Sequence, residues 1–230
     1  MAQHHIPEDW LIAYAAGEVD EAVSALIAAH LTFCPLCRRK VEDFEIFGGA
    51  VLDSIDIGDE GPDLTAGLAA ARQSISDPAP GDTAPTAAEA GETPAGTLAE
   101  IAPRPLLDYA RSHGGGIDID ALPWRPYAPG IKRAVLFRGE DGQLVRFLKA
   151  KPGARFPHHD HGGDEFTIVL TGAYRDRLEE FHVGDVQHVG ENEEHQPVII
   201  GEEICIGFVV SQKPPIPTTF LPRLISRFIE

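Results

Sequence analysis

The segment from Asp77 to Pro103 admits no long helix or strand, and it constrains the fold of this chain more than any other feature. Pro78, Pro80, Pro85 and Pro94 interrupt it, and from Asp53 to Pro103 ten acidic residues stand against a single arginine, Arg72. A self-repelling stretch with few apolar side chains buries too little surface to offset its ordering entropy. Residues 78–103 therefore read as a flexible linker, with a short helix around Thr97 to Ala102 of no evident consequence. The linker divides the 230-residue chain into residues 1–77 and residues 104–230. The charge is unbalanced throughout: 19 Lys and Arg against 36 Asp and Glu, a formal net charge of −17. Such a chain repels nucleic acid and anionic membranes, and no basic run offsets this, so neither direct nucleic-acid binding nor membrane binding is expected. No stretch approaches the roughly 20 apolar residues of a membrane span, and Met1 to Trp10 lacks a secretory pattern, so a cytoplasmic protein is expected.

Residues 1–77 read as helical. Trp10, Leu11 and Tyr14 recur at helical spacing until Gly17. Val19, Val23, Leu26, Ile27 and His30 share a face of a second helix. Pro35 suits the first turn of a third, with Val41, Phe44 and Val51 on one stripe with Cys37. Asp63 is placed to cap a fourth helix carrying Leu64, Leu68 and Ile75. So short a bundle buries little apolar surface and benefits from an additional tie. His30-Leu-Thr-Phe-Cys34-Pro-Leu-Cys37 supplies one as an H-x₃-C-x₂-C motif. Positions 30 and 34 lie one helical turn apart, and Cys37 follows the turn begun at Pro35. Two thiolates and an imidazole suit tetrahedral zinc, and the His4-His5 pair offers a fourth donor. A structural zinc contributes on the order of 10 kcal/mol of apparent binding free energy.

Residues 104–230 switch to strand patterning. Ile131 to Arg138 and Gln143 to Ala150 flank the turn Gly139-Glu-Asp-Gly142, and strands follow at Phe166–Thr171, Leu178–Val183, Val198–Ile200 and Glu203–Val210. Short strands with Gly-rich turns indicate a small β-barrel or sandwich. Within it, Gly153-x₅-His159-x-His161-x₃-Glu165-x₆-Gly172 places two imidazoles on one side of a strand with a carboxylate returning after the turn. His195, further along, completes a set of three nitrogens and one oxygen that suits zinc or another divalent transition metal and leaves positions open. Cys205, between Ile204 and Ile206, reads as a buried thiol, and His158 and His188 as outer or surface residues.

The glycine, histidine and glutamate spacing fits the first cupin motif. The second cupin motif is degenerate: Gly184 and His195 keep their places, but Gly190 stands where proline is usual, Asn192 where glycine is usual and Ile199 where asparagine is usual. The order of motifs, from His4-His5 through Tyr14-Ala-Ala-Gly17 to the H-x₃-C-x₂-C run and then a cupin, resembles the ChrR-type zinc-binding anti-sigma factors. The resemblance implies an α+β multi-domain chain, a small all-α zinc-binding domain followed by a β-barrel cupin. It implies zinc on His5, His30, Cys34 and Cys37, with register favouring His5 over His4, and a barrel metal on His159, His161, Glu165 and His195. It further implies a regulator, not an enzyme. The helical domain would sequester an extracytoplasmic-function sigma factor, and the cupin would trigger release on oxidative stress, from singlet oxygen or organic oxidants. The alternatives are a metal-dependent cupin enzyme of dioxygenase or isomerase type, and a metal-storage module.

Overall fold

A computed structural model of the chain describes residues 2–56, 65–76, 98–114 and 118–217. Among these residues six helices come first: α1 (Glu8–Ala15), α2 (Glu21–Phe33), α3 (Pro35–Ser54), α4 (Thr65–Ser76), α5 (Leu98–Ile101) and α6 (Arg104–Ser112). Eleven strands follow: β1 (Arg125–Ala128), β2 (Ile131–Arg138), β3 (Leu144–Ala150), β4 (His159–Asp160), β5 (Glu165–Thr171), β6 (Ala173–Asp176), β7 (Glu179–Phe181), β8 (Val186–Val189), β9 (Val198–Ile200), β10 (Cys205–Ser211) and β11 (Ile216–Pro217). The proposed cap Asp63 and most of the linker lie outside the described residues.

Local chemistry accounts for the helix ends. Gly17, at φ +73°, follows α1. Asp20 caps α2 by accepting the amides of Ala22 and Val23, which leaves Val19 just outside the helix. Pro35 disfavours helical backbone at the residue before it, so Cys34 is extended (φ −115°, ψ 97°) and is both the last cap of α2 and the first cap of α3.

All strand pairings among the described residues are antiparallel. One six-stranded sheet runs β1-β2-β3-β10-β5-β8, beside a three-stranded sheet β7-β6-β9 and the small pair β11-β4. Two expected strands are shorter than their apolar runs suggest: Leu178–Val183 reduces to Glu179–Phe181, leaving Leu178 97% exposed, and Glu203–Val210 begins only at Cys205.

Strand alternation divides the large sheet into two buried faces. On β5 and β10, Glu165, Thr167, Cys205, Gly207 and Val209 point into the barrel cavity. Phe166, Ile168, Leu170, Ile206, Phe208 and Val210 point outward, where they join one hydrophobic cluster with Leu11, Val23, Leu26 and Ile27 of the first helices and Leu98, Leu106 and Tyr109 of α5 and α6. This corrects two expectations. The helices and the barrel do not bury separate cores: α2 and α6 cover the outer face of the sheet. The short helix at the end of the linker is not incidental either, because Leu98 is fully buried in the shared core. Leu98 and Ala102, both read as part of the linker, thus belong to the buried core. Both corrections have one physical cause, since a strand whose two faces are both covered is apolar at every position and must find a second layer.

The covered part of α3 ends early. Cys37 and Val41 are buried, whereas Ile46, Phe47, Leu52 and Ile55 are 72%, 71%, 70% and 55% exposed. Val51, placed on the buried stripe from sequence, is 47% exposed. Leu68 on α4 is also exposed.

Candidate metal centres

The eight residues singled out from sequence fall into two groups, and within each the donor atoms all lie within 4.8 Å of one another. No other cluster of this kind occurs among the described residues.

The first group forms at the junction of α2 and α3. His30 lies one turn before the end of α2, Cys34 at the shared cap and Cys37 one turn into α3. His30 Nε2 stands 3.4 Å from Cys37 Sγ. His5 Nδ1 stands 3.3 Å from Cys34 Sγ and 3.6 Å from Cys37 Sγ. Donors held at 2.0–2.3 Å from a tetrahedral zinc lie roughly 3.3–3.8 Å apart, so the set fits that ion. His4 points elsewhere: its Nε2 bonds the Glu180 carbonyl at 3.1 Å, and its ring lies 4.2 Å from that of Phe181. Geometry thus separates the two adjacent histidines. The Cys37 amide donates to Cys34 Sγ at the N-terminus of α3, a position that favours a thiolate. Burial, then the neighbouring Cys34, pushes the Cys37 thiol up to about 11, so it gives up its proton there only to a cation that takes the proton's place. Burial holds His30 below the usual histidine range despite its bond to the Gly184 carbonyl, leaving a neutral imidazole fit to coordinate.

The second group closes one end of the barrel. His159 and His195 face each other across a narrow antiparallel bridge, each amide donating to the other's carbonyl, at 3.3 and 3.0 Å. His161 is anchored through its carbonyl, which accepts the Asn192 amide at 2.9 Å. Asn192 takes φ +63°, a backbone region that asparagine enters more readily than most side chains, so the departure from glycine keeps the loop shape. Nε2 of His195 lies 2.9 Å from Nε2 of His161 and 3.0 Å from Nε2 of His159. His159 donates Nδ1–H to the Pro157 carbonyl at 2.9 Å, and His195 donates Nδ1–H to Asp176 at 2.8 Å. Both therefore turn their Nε2 atoms toward each other, an arrangement that a shared cation fits. Nitrogens about 3 Å apart match right-angled positions on an ion with 2.1 Å bonds, the facial pattern with open sites. His161 Nδ1 is buried without a hydrogen-bond partner, 3.7 Å from Glu165 Oε2.

Charge around this second group is balanced by residues that sequence reasoning missed. Arg146 pairs with Glu165 at 3.0 Å, both buried, and the Ser211 hydroxyl also donates to Glu165. Burial pushes the Glu165 carboxyl up, but Arg146, His161, His159 and Ser211 outweigh it and hold it at about 2. Burial, followed by His195 and His161, brings His159 down to about 4, against the pull of Glu165 and the Pro157 carbonyl. Asp176 is held in turn by Gln187 at 2.6 Å. Arg146 had one sequence signal, a cation at the inward parity of an apolar strand. Asp176 had none, because it reads as an ordinary strand-end aspartate. An apolar cavity adjoins the group, lined by Tyr127, Phe156, Ile199 and Val209. Cys205 lines it too, with burial pushing its thiol up to about 12. His188 bonds Asp164 at 2.7 Å, and the half-buried His158 bonds Glu194, so neither belongs to either group.

Comparison with known proteins agrees with this architecture. Residues 112–214 match the ChrR Cupin-like domain. The anti-sigma-E factor ChrR of Cereibacter sphaeroides is 30% identical over 227 residues, spanning 98% of this chain and 97% of that protein. A chain in the crystal structure of Rhodobacter sphaeroides SigE in complex with the anti-sigma ChrR superposes with a TM-score of 0.70 at 28% identity, covering 92% of this chain and 100% of its own length. On shared motifs, shared fold and near-complete alignment, the chain belongs to the ChrR family of anti-sigma factors.

Proposed function

We propose that this chain sequesters an extracytoplasmic-function sigma factor and so restrains transcription initiation in the cytoplasm. It is a regulator and not an enzyme. The observation that carries the reading is the alignment along nearly the whole length to a protein solved in complex with a sigma factor. The exposed apolar side chains at the end of α3 support it, since Ile46, Phe47, Leu52 and the cap Ile55 are more apolar surface than a monomer gains by exposing. The net charge of −17 supports it as well, because a sigma factor presents basic DNA-binding surfaces and complementary charge speeds encounter.

In this reading residues 1–77 are the sigma-binding domain, residues 78–103 the linker, whose last helix docks Leu98 into the shared core, and residues 104–230 the sensor. His5, His30, Cys34 and Cys37 hold zinc, which supplies a closed four-coordinate tie between α2, α3 and the N-terminal segment. His159, His161, Glu165 and His195 hold zinc or another divalent transition metal, which supplies open coordination positions beside the apolar cavity. Oxidative stress, from singlet oxygen or organic oxidants, is the signal for release.

The test is capture from host lysate with the full chain as bait, with and without a zinc chelator. Recovery of one sigma factor, lost on chelation, is the expected result. Recovery of none by folded, zinc-loaded bait overturns the reading. Glu165→Gln is expected to retain the sigma factor and to lose release on oxidant treatment, whereas normal release by that variant removes the barrel centre from the sensing role.

A further inference from the structure

The outer shell of the helical centre comes from the barrel. His30 Nδ1 donates to the carbonyl of Gly184 at 2.8 Å, across 154 residues of sequence. Gly184 lies in the turn between β7 and β8 at φ +89°, and a Cβ there would stand 2.8 Å from Cβ of Phe33, the last residue of α2. The turn backbone thus lies directly against the helix that carries His30. The next residue, Asp185, is 1% exposed. Its Oδ1 accepts the amides of Gln3 at 2.5 Å and His4 at 3.0 Å, and its Oδ2 accepts the amide of His182 at 2.8 Å. The Val186 amide donates to the His4 carbonyl at 3.4 Å. Residues 3 and 4 are therefore laid along the turn, and His5 is the residue that follows. Of the four donors, the α2–α3 junction places Cys34 and Cys37 unaided, while the barrel orients His30 and delivers His5.

We propose that the Gly184–Asp185 turn is the outer shell of the helical zinc centre, so that docking of the barrel tightens zinc binding there. The proposal rests on the reading of His5, His30, Cys34 and Cys37 as zinc donors. A metal-binding histidine whose second nitrogen donates to a fixed acceptor is held in one tautomer and orientation, and losing such a partner weakens metal binding roughly 10–100-fold. Linkage makes the effect reciprocal: zinc tightens docking by the factor by which docking tightens zinc. The same short segment also reaches the other centre, because Gln187 of β8 holds Asp176, which holds His195. Asp185 is accordingly a positioning residue for the helical centre.

The test uses the zinc-loaded full chain in excess chelator, following the rate at which Cys34 and Cys37 become alkylated, read by peptide mass spectrometry. Asp185→Ala is expected to expose both thiols roughly 10–100-fold faster than the parent, with Asp185→Asn in between. Gly172→Ala serves as the control for general weakening of the barrel, since its Cβ would press on the Cys205 backbone at 2.9 Å, and it should leave the rate near the parent's. An unchanged rate in folded Asp185→Ala, or an equal acceleration by Gly172→Ala, overturns the proposal. If Asp185→Ala fails to fold, the parent decides by hydrogen exchange. Zinc removal is expected to speed exchange across residues 180–189 and spare β3 and β10, and unchanged exchange across 180–189 overturns it. If the parent's thiols react equally fast before and after chelation and no zinc leaves them, the underlying zinc reading fails and this proposal falls with it.

Discussion

The two candidate metal centres solve opposite problems. The helical centre gathers soft donors at a helix junction, with His5 exposed and the other three buried, and borrows its outer shell from a distant part of the chain. The barrel centre gathers hard and borderline donors that are all buried, and it is braced within its own fold by Arg146, Ser211, Asp176 and Gln187. With zinc, two thiolates and two neutral imidazoles, the helical set is neutral and closed. The barrel set already balances Glu165 against Arg146 before any metal arrives, so a divalent ion there adds net charge and retains open positions. The first arrangement suits holding a fold together. The second suits a site whose occupancy changes.

The sharpest way to break this contrast is to remove a thiolate. Cys37→Ala is expected to lose one zinc per chain and up to about 10 kcal/mol of binding free energy from the helical region. Hydrogen exchange should rise across α1 to α3 while β3, β5 and β10 stay protected, and equal loss of protection in the barrel would make the two centres one cooperative unit. Arg146→Met comes next. It leaves Glu165 buried without its cation and is expected to cost about 3–5 kcal/mol in denaturant unfolding of metal-free protein. Added divalent metal should recover much of that loss, because the ion replaces the guanidinium as the counter-charge, and no recovery would deny Glu165 a place at the ion.

A smaller effect sharpens the same comparison. Asp176→Asn removes the carboxylate behind His195 and is expected to weaken the barrel centre roughly 10–100-fold in competition titrations. The helical zinc should be unchanged in that variant. The smallest effect concerns the thiols. Cys205, 6% exposed and pushed by burial up to about 12, should resist alkylation in the native protein even after chelation, whereas Cys34 and Cys37 react once their metal leaves. Modification of Cys205 at a comparable rate would mean that the cavity admits reagents freely.

Both donor sets were legible in the sequence because their spacing is local chemistry. His30, Cys34 and Cys37 are related by one helix turn, a proline that ends one helix and starts the next, and another turn. His159 and His161 are related by the two-residue period of a strand. The helix stop at Gly17 and the start at Pro35 were equally readable, as was the hairpin turn after Arg138, whereas the Asp20 cap was missed and leaves Val19 outside the helix it was assigned to. Each is dictated by neighbours a few residues away, through backbone sterics and capping that hold in any surroundings. The partition into a helical and a barrel region was visible for the same reason. What tertiary structure alone decided is everything that depends on which surfaces meet: that α2 and α6 cover the large sheet, that Leu98 is buried beneath them, and that Gly184 and Asp185 stand behind His30. A glycine and an aspartate in a turn look the same whether solvent or another element lies against them, because burial and hydrogen-bond partners at long range leave no periodic mark on the chain.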